Sequence, residues 1–162
     1  MFHAPKTPLG RSLAAGLFLG TAILASSSAF AGECPADKVG VDVTKPGAMK
    51  PKDVKDDVLA AIDLSKERIN LPNRNLRLRK LVVQPGGVVP WHSHADRPAI
   101  IYIVSGGITE YASTCSVPIE HKPGEVTAER GATAHWWKNN GKVPAVLLSA
   151  DILTQQEDQH VM

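Results

Sequence analysis

The chain has 162 residues, 43% of them apolar and 21% charged, a composition that suits one globular domain and excludes a long disordered or multidomain protein. Its formal net charge is +2, yet two of its 18 basic residues, Lys6 and Arg11, and none of its 16 acidic ones lie in the first 31 positions, so the remainder balances at 16 against 16. A neutral chain with scattered basic residues lacks the electrostatic footprint of a nucleic-acid or acidic-membrane binder, and neither partner is expected.

Residues 1–31 read as a removable export leader. Lys6 and Arg11 supply the positive charge, Leu13 to Leu24 an uncharged core, and Ala29-Phe30-Ala31 a small-residue cleavage site, so the mature protein is expected to begin at Gly32 in a periplasmic or secreted location. The core is short for a membrane span, and no later stretch approaches the roughly 20 apolar residues such a helix needs. No membrane association is therefore expected after leader removal. Phe2, Phe18 and Phe30 all leave with the leader, and the remaining aromatics, Trp91, Tyr102, Tyr111, Trp136 and Trp137, crowd into the middle of the chain.

In an oxidising compartment Cys34 and Cys115 are expected to form a disulfide that pins the N-terminal arm, closing a loop long enough to stabilise the fold by about 4 kcal/mol. The alternative, a reactive or metal-binding Cys115, requires that thiol to be reduced and near a site.

From Gly32 to Pro51 the residues are polar and broken by Pro35 and Pro46-Gly47, an extended arm. Pro51 and Asp53 then open an expected short helix, in which Val54, Val58, Ala61 and Ile62 recur at helical spacing through about Leu64. From Leu76 the period changes to two, and strands are expected at Leu76–Val83, Val88–His94, Ala99–Ser105, Ile108–Tyr111, Val126–Glu129, Ala134–Lys138 and Ala145–Ile152. Breaks fall at Pro85-Gly86-Gly87, Gly106-Gly107, Pro123-Gly124, Gly131 and Asn140-Gly141. Many short strands with no crossover helices predict an all-β antiparallel sandwich or barrel over 76–152, preceded by the arm and helix (32–75) and followed by a polar tail (153–162).

His92-Ser93-His94 is the sharpest local feature. On a strand, residues two apart share one face, so both imidazoles can reach one ion at about 2.0–2.1 Å. The same alternation puts Val88 and Pro90 on that face and Trp91 and Ser93 on the other. A trapped divalent ion needs three or four ligands, and His135, in the strand-like Ala134 to Asn139, is the candidate third.

Together these segments resemble the paired motifs of the cupin superfamily. The first runs Gly86, five residues, His92-Ser93-His94, four residues, Ala99, six residues, Gly106; the second runs Gly124, five residues, Arg130-Gly131-Ala132, two residues, His135, three residues, Asn139. The resemblance implies a double-stranded β-helix, or jelly-roll, barrel with one divalent metal ion (Fe, Cu, Ni, Zn or Mn) held by His92, His94 and His135. It also implies pairing of two copies through the sheet as a homodimer.

The departures are specific. Ala99 stands where the family has a Glu ligand, and Arg130 and Ala132 replace the Pro and Gly of the second motif. Three neutral imidazoles leave the ion's charge uncompensated, which favours a small anionic ligand in the open position. Asp96, Glu110 and Glu129 do not occupy the missing Glu's position and are read as bystanders.

Around the triad, Trp137 and Asn139 share strand parity with His135, so Trp137 is either pocket wall or core filling. Arg97, two residues from Ala99, is a candidate carboxylate binder at the mouth, with Tyr102 as further pocket lining. Arg77 and Arg79 share one face of an earlier strand, where ordinary ion pairs are the competing reading. His121 and His160 receive no role.

Three-His members of the family imply a metal-dependent dioxygenase-like oxidoreductase. The alternatives are a non-catalytic metal- or small-molecule-binding module, and an isomerase or lyase using Tyr102 or Tyr111 as proton donor. Fold does not choose among them.

Overall fold

The computed structural model describes Met1 and residues 32–154. The expected leader and the tail beyond Thr154 lie outside the described residues. Eight strands follow a one-turn 3₁₀ helix at Ala36–Lys38: β1 (Lys52–Asp63), β2 (Arg74–Ser93), β3 (Ala99–Ser105), β4 (Ile108–Ala112), β5 (Ile119–His121), β6 (Val126–Glu129), β7 (Ala134–Lys138) and β8 (Ala145–Thr154). All pair antiparallel in one curled sheet of order β5-β4-β7-β2-β8-β3-β6, with β1 added on β2. This is the all-β class the alternating pattern predicts.

β2 organises the sheet. Its first half, Arg74 to Val83, pairs with both β1 and β8, and its second half, Val88 to Ser93, pairs with β7. The sequence suggests a break at Pro85-Gly86-Gly87, but the strand bends there and continues. Gly86 N donates to Asn139 O (2.8 Å) and Asn139 N to Gly87 O (3.0 Å), which satisfies the backbone through the bend. A Cβ on Gly87 would lie 2.7 Å from Gln84 O and 2.9 Å from Asp53 O, so only glycine lets three backbones meet at this corner.

The expected helix at Pro51 to Leu64 is instead strand β1. Its inward positions are Val54 and Asp56, opposite Val83 and Leu81, while Val58, opposite Arg79, is exposed. A helical reading requires Asp56 to point to water. In the fold its carboxylate is buried against the Arg79 guanidinium, and Val54 packs on the main core. Tertiary pairing overrides a spacing that fits both periods.

Leu81, Val83, Val89, Ile101, Ile103, Ile108, Trp137, Ala145 and Leu147 form the main core between the curled faces. A smaller cluster of Ala112, Cys115 and Ile119 receives Cys34 of the arm. The Cys34–Cys115 disulfide closes a separation of 81 residues, which excludes a free Cys115. The arm's backbone follows, with Gly40 N on Thr114 O (3.0 Å) and Val43 N on Ser113 O (2.9 Å).

Candidate metal centre

His92 and His135 are direct cross-strand partners on β2 and β7, and His94 lies just past the end of β2. The three Nε2 atoms form a nearly equilateral triangle with separations of 3.1, 3.0 and 3.1 Å. Their Nδ1 atoms each have a fixed acceptor: Pro90 O for His92 (2.8 Å), Arg97 O for His94 (2.8 Å) and Glu110 Oε1 for His135 (2.6 Å). Each Nδ1 therefore carries the proton, and three bare Nε2 lone pairs face one another with no hydrogen to share. Burial, followed by the neighbouring His135 ring, pushes His92 down to about 2 and His94 to about 4, so both stay neutral near neutral pH.

Three lone pairs at this spacing fit a common cation about 2.0–2.1 Å from each. These residues fit a divalent ion.

Behind His135, Glu110 bridges two histidines. Its Oε2 accepts from His121 Nε2 at 2.8 Å while Oε1 accepts from His135. Burial alone would raise its pKa, but the His121 and His135 hydrogen bonds outweigh it and hold the carboxyl at about 2. Glu129 Oε2 lies 3.5 Å from His135 Nδ1, and there burial wins and raises the carboxyl. Both carboxylates stand on the Nδ1 side, so neither replaces the family Glu in contact with the triad's Nε2 atoms. The bystander reading of Glu110 is nevertheless overturned: its carboxylate orients a ring of the triad and supplies a negative charge behind it. Asp96 remains outside, paired with Arg74 (2.6 Å).

His121 is buried and stacks on Trp137, with ring centroids 4.6 Å apart and planes 13° from parallel. Sequence reasoning missed it because β5 is three residues long, too short to show a period.

The triad opens on a narrow cavity of about 20 Å³, lined by Arg79, Leu81, Val89, Ile101, Trp137, Leu147 and Ser149. One water needs roughly 10–15 Å³ by the same measure, so the space suits a ligand of a few atoms. Val89, not Val88, faces it, because the β2–β7 register shifts between Val89 and His92 and inverts the expected alternation. Trp137 forms a wall, its indole N–H directed at the His135 ring, 3.0 and 3.2 Å from the two nitrogens.

The other expected pocket residues stand elsewhere. Tyr102 is 42% exposed on the outer sheet face, opposite Leu148. Tyr111 stacks on Trp136 (4.1 Å), its hydroxyl 3.3 Å from Asn140 Nδ2. Asn139 is buried but ties the β7–β8 turn, donating to Val83 O (2.9 Å) and Val143 O (2.8 Å). Arg97 is buried and reaches the centre through its carbonyl, while its side chain is not among those lining the cavity. The cation at the cavity is Arg79, held by Asp56 and by Asp151 (3.1 Å), with Arg77 paired to Asp151 beside it (3.0 Å). Leu76 and Leu78, alternating with these arginines along β2, point outward, an inversion that no hydropathy rule anticipates.

Residues 79–151 match the cupin domain family, Cupin_2. The fold agrees with a predicted oxalate decarboxylase from Thermotoga maritima, at a TM-score of 0.51 and 18% identity over 71% of this chain and 97% of that one. Residues 79–151 are thereby a domain of the cupin superfamily. Nectarin-1 of Nicotiana langsdorffii x Nicotiana sanderae is 28% identical over 121 residues, covering 71% of this chain and 50% of that protein. Germin-like protein 1 of Brassica napus is 33% identical over 72 residues, covering 43% of this chain and 35% of its own. The chain spans half or less of the length of these relatives.

Proposed function

We propose that this protein is an exported single-domain cupin in which His92, His94 and His135 hold one divalent metal ion that presents open positions to a small anionic ligand. The convergence of three Nε2 lone pairs carries the reading. Three imidazoles suit Fe, Cu, Ni and Zn, and availability in the compartment selects among them. Export is supported by the leader pattern of residues 1–31 together with the disulfide, a bond of oxidising compartments.

The leading activity is that of a metal-dependent dioxygenase-like oxidoreductase. When bound, the ion supplies Lewis-acid or redox chemistry beside the cavity. The chain's own residues do the rest. Pro90 and Arg97 carbonyls and Glu110 hold the imidazoles in the coordinating tautomer, and Leu81, Val89, Ile101, Trp137 and Leu147 exclude bulk water. Arg79 makes the inner wall attractive to negative charge, although Asp56 and Asp151 already share it.

A binding module without turnover is the second reading, favoured by a cavity of one or two waters that contains no free acid or base. The isomerase or lyase reading receives no support, because the Tyr102 and Tyr111 hydroxyls lie away from the cavity.

Elemental analysis of protein purified from the exporting compartment is expected to give close to one transition-metal ion per chain, and His135→Ala is expected to lose it. Unchanged metal content in that variant would overturn the site. Oxygen uptake over a panel of small hydroxy acids, diketones and phenols separates the activities, with uptake expected for the oxidoreductase and silence assigning the binder.

A further inference from the structure

His121 Nδ1 is buried and has no hydrogen-bond partner among the described residues. Nε2 of the same ring donates to Glu110, so in the neutral ring Nδ1 is a bare acceptor, an expensive group to leave unmatched. What approaches it is the backbone of Gly32. A substituent at the Cβ position of Gly32 would lie 2.7 Å from His121 Nδ1 and 3.2 Å from Glu125 Oε2. Those distances are too short for carbon and right for a nitrogen that donates hydrogen bonds.

Gly32 is also the first residue after the expected leader cleavage site. We propose that leader removal creates a docking group here: the new α-ammonium of Gly32 binds between His121 Nδ1 and the Glu125 carboxylate, completing a buried hydrogen-bond chain that ends at His135. The inference rests on the export reading above. In the cleavage step, a leader peptidase adds water across the Ala31–Gly32 amide, Ala31 departs as a carboxylate, and the Gly32 nitrogen takes up protons as an ammonium, its ordinary form at neutral pH.

Once Ala31 is gone, nothing but the Cα–C torsion positions that nitrogen. Rotation by about one staggered step exchanges the nitrogen with the substituent position measured above, at little cost for a terminal glycine. The disulfide at Cys34, two residues on, keeps Gly32 at the site. The surrounding groove, about 390 Å³, is lined by Glu33, Glu110 and Glu129 against one cation, Arg130, so a positive group is electrostatically welcome. The completed chain runs from the Gly32 ammonium through His121, then Glu110 (2.8 Å), to His135 (2.6 Å).

The experiment has two arms. The full chain is first expressed with its leader and exported, and the intact mass is expected to show a start at Gly32; a start at another residue overturns the leader reading and the docking with it. The oxidised protein is then released from an exported fusion to begin either at Gly32 or at Ala31, and the α-amine is acetylated at neutral pH and followed by mass spectrometry. Because hydrogen bonds to charged groups contribute at the strong end of the range, acetylation is expected to be about tenfold slower for the Gly32 start than for the Ala31 start. The His121 ring nitrogens are expected to shift between the two forms in ¹⁵N spectra. Glu125→Gln, at a partly exposed position, is expected to recover most of the fast rate without disturbing the fold. Equal acetylation rates and superimposable His121 signals in the two forms would overturn the docking while leaving the export reading intact.

Discussion

At Glu110 one carboxylate serves two buried rings, and its removal tests how much of the centre lies behind the ligands. Glu110→Gln keeps the shape but replaces a charged acceptor by a neutral one on His135 Nδ1. Losses of this kind cost 10- to 100-fold in metal affinity, and about that weakening is expected in a Zn(II) competition titration. Unchanged affinity would mean that Glu110 only fills space.

The low pKa values of this cluster also set an acid limit for the metal-free protein. His92 and His94 are held below their ordinary value of 6.5, so the unfolded chain binds more protons than the folded one as pH falls below about 6.5. Glu110, held at about 2 from 4.5, acts in the same direction over the lower window. Stability is therefore complete above about pH 6.5 and is lost on acidification toward 4 and then 2. Thermal melts of the metal-free protein are expected to fall across that range, and His94→Gln to flatten the upper part; a pH-independent midpoint would refute the burial of neutral imidazoles.

Among the elements, β1 tests the tertiary origin of secondary structure. Its Asp56 carboxylate joins the Arg79–Asp151–Arg77 cluster, and Asp56→Ala leaves a buried guanidinium with one carboxylate fewer. About 3 kcal/mol of destabilisation is expected in urea unfolding, the lower end for breaking a buried pair because Asp151 remains. Reducing Cys34–Cys115 is expected to lower stability by about 4 kcal/mol and to release the arm to proteolysis before the strands. If the reduced protein resists cleavage at the arm, backbone pairing to Ser113 and Thr114 alone suffices to hold it.

The same scale explains which parts of the fold were legible. The strands from Ala99 to Lys138 announce themselves by alternation and by glycine turns, and three of them keep their expected bounds. β1 did not, because Val54, Val58 and Ile62 satisfy a helical period and a strand period alike, and only the buried partner of Asp56 decides between them. β2 did not break at Pro85-Gly86-Gly87, because Asn139, far along the chain, completes the hydrogen bonds of the bend.

For the molecule as a whole, the outer face of the β2–β8–β3–β6 part of the sheet is apolar. Leu76 pairs with Ile152, Ile100 with Ala150 and Ala128, and Tyr102 with Val126, and Leu76, Ile100, Tyr102, Val104 and Val126 are all exposed. A patch of this kind fits a partner surface, and a second copy of the chain is the partner proposed. Sedimentation is expected to give a dimer, and Ile100→Glu a monomer with an intact fold; a wild-type monomer at high concentration would remove the proposal.

What the sequence by itself determined is local in origin: alternation specifies strands, glycine and proline mark turns, and two histidines two apart must share a strand face. The disulfide was legible too, since two cysteines leave only one intramolecular pairing. What only the tertiary structure decided is which distant groups meet. Glu110 and His121 stand behind His135, Arg79 lines the cavity in place of Arg97, and Tyr102 faces outward, because strand pairing, register shifts and the curl of the sheet set those neighbours. A residue's own sequence surroundings carry no record of a partner brought by another strand, so the chemistry behind the triad became visible only when the sheet closed around it.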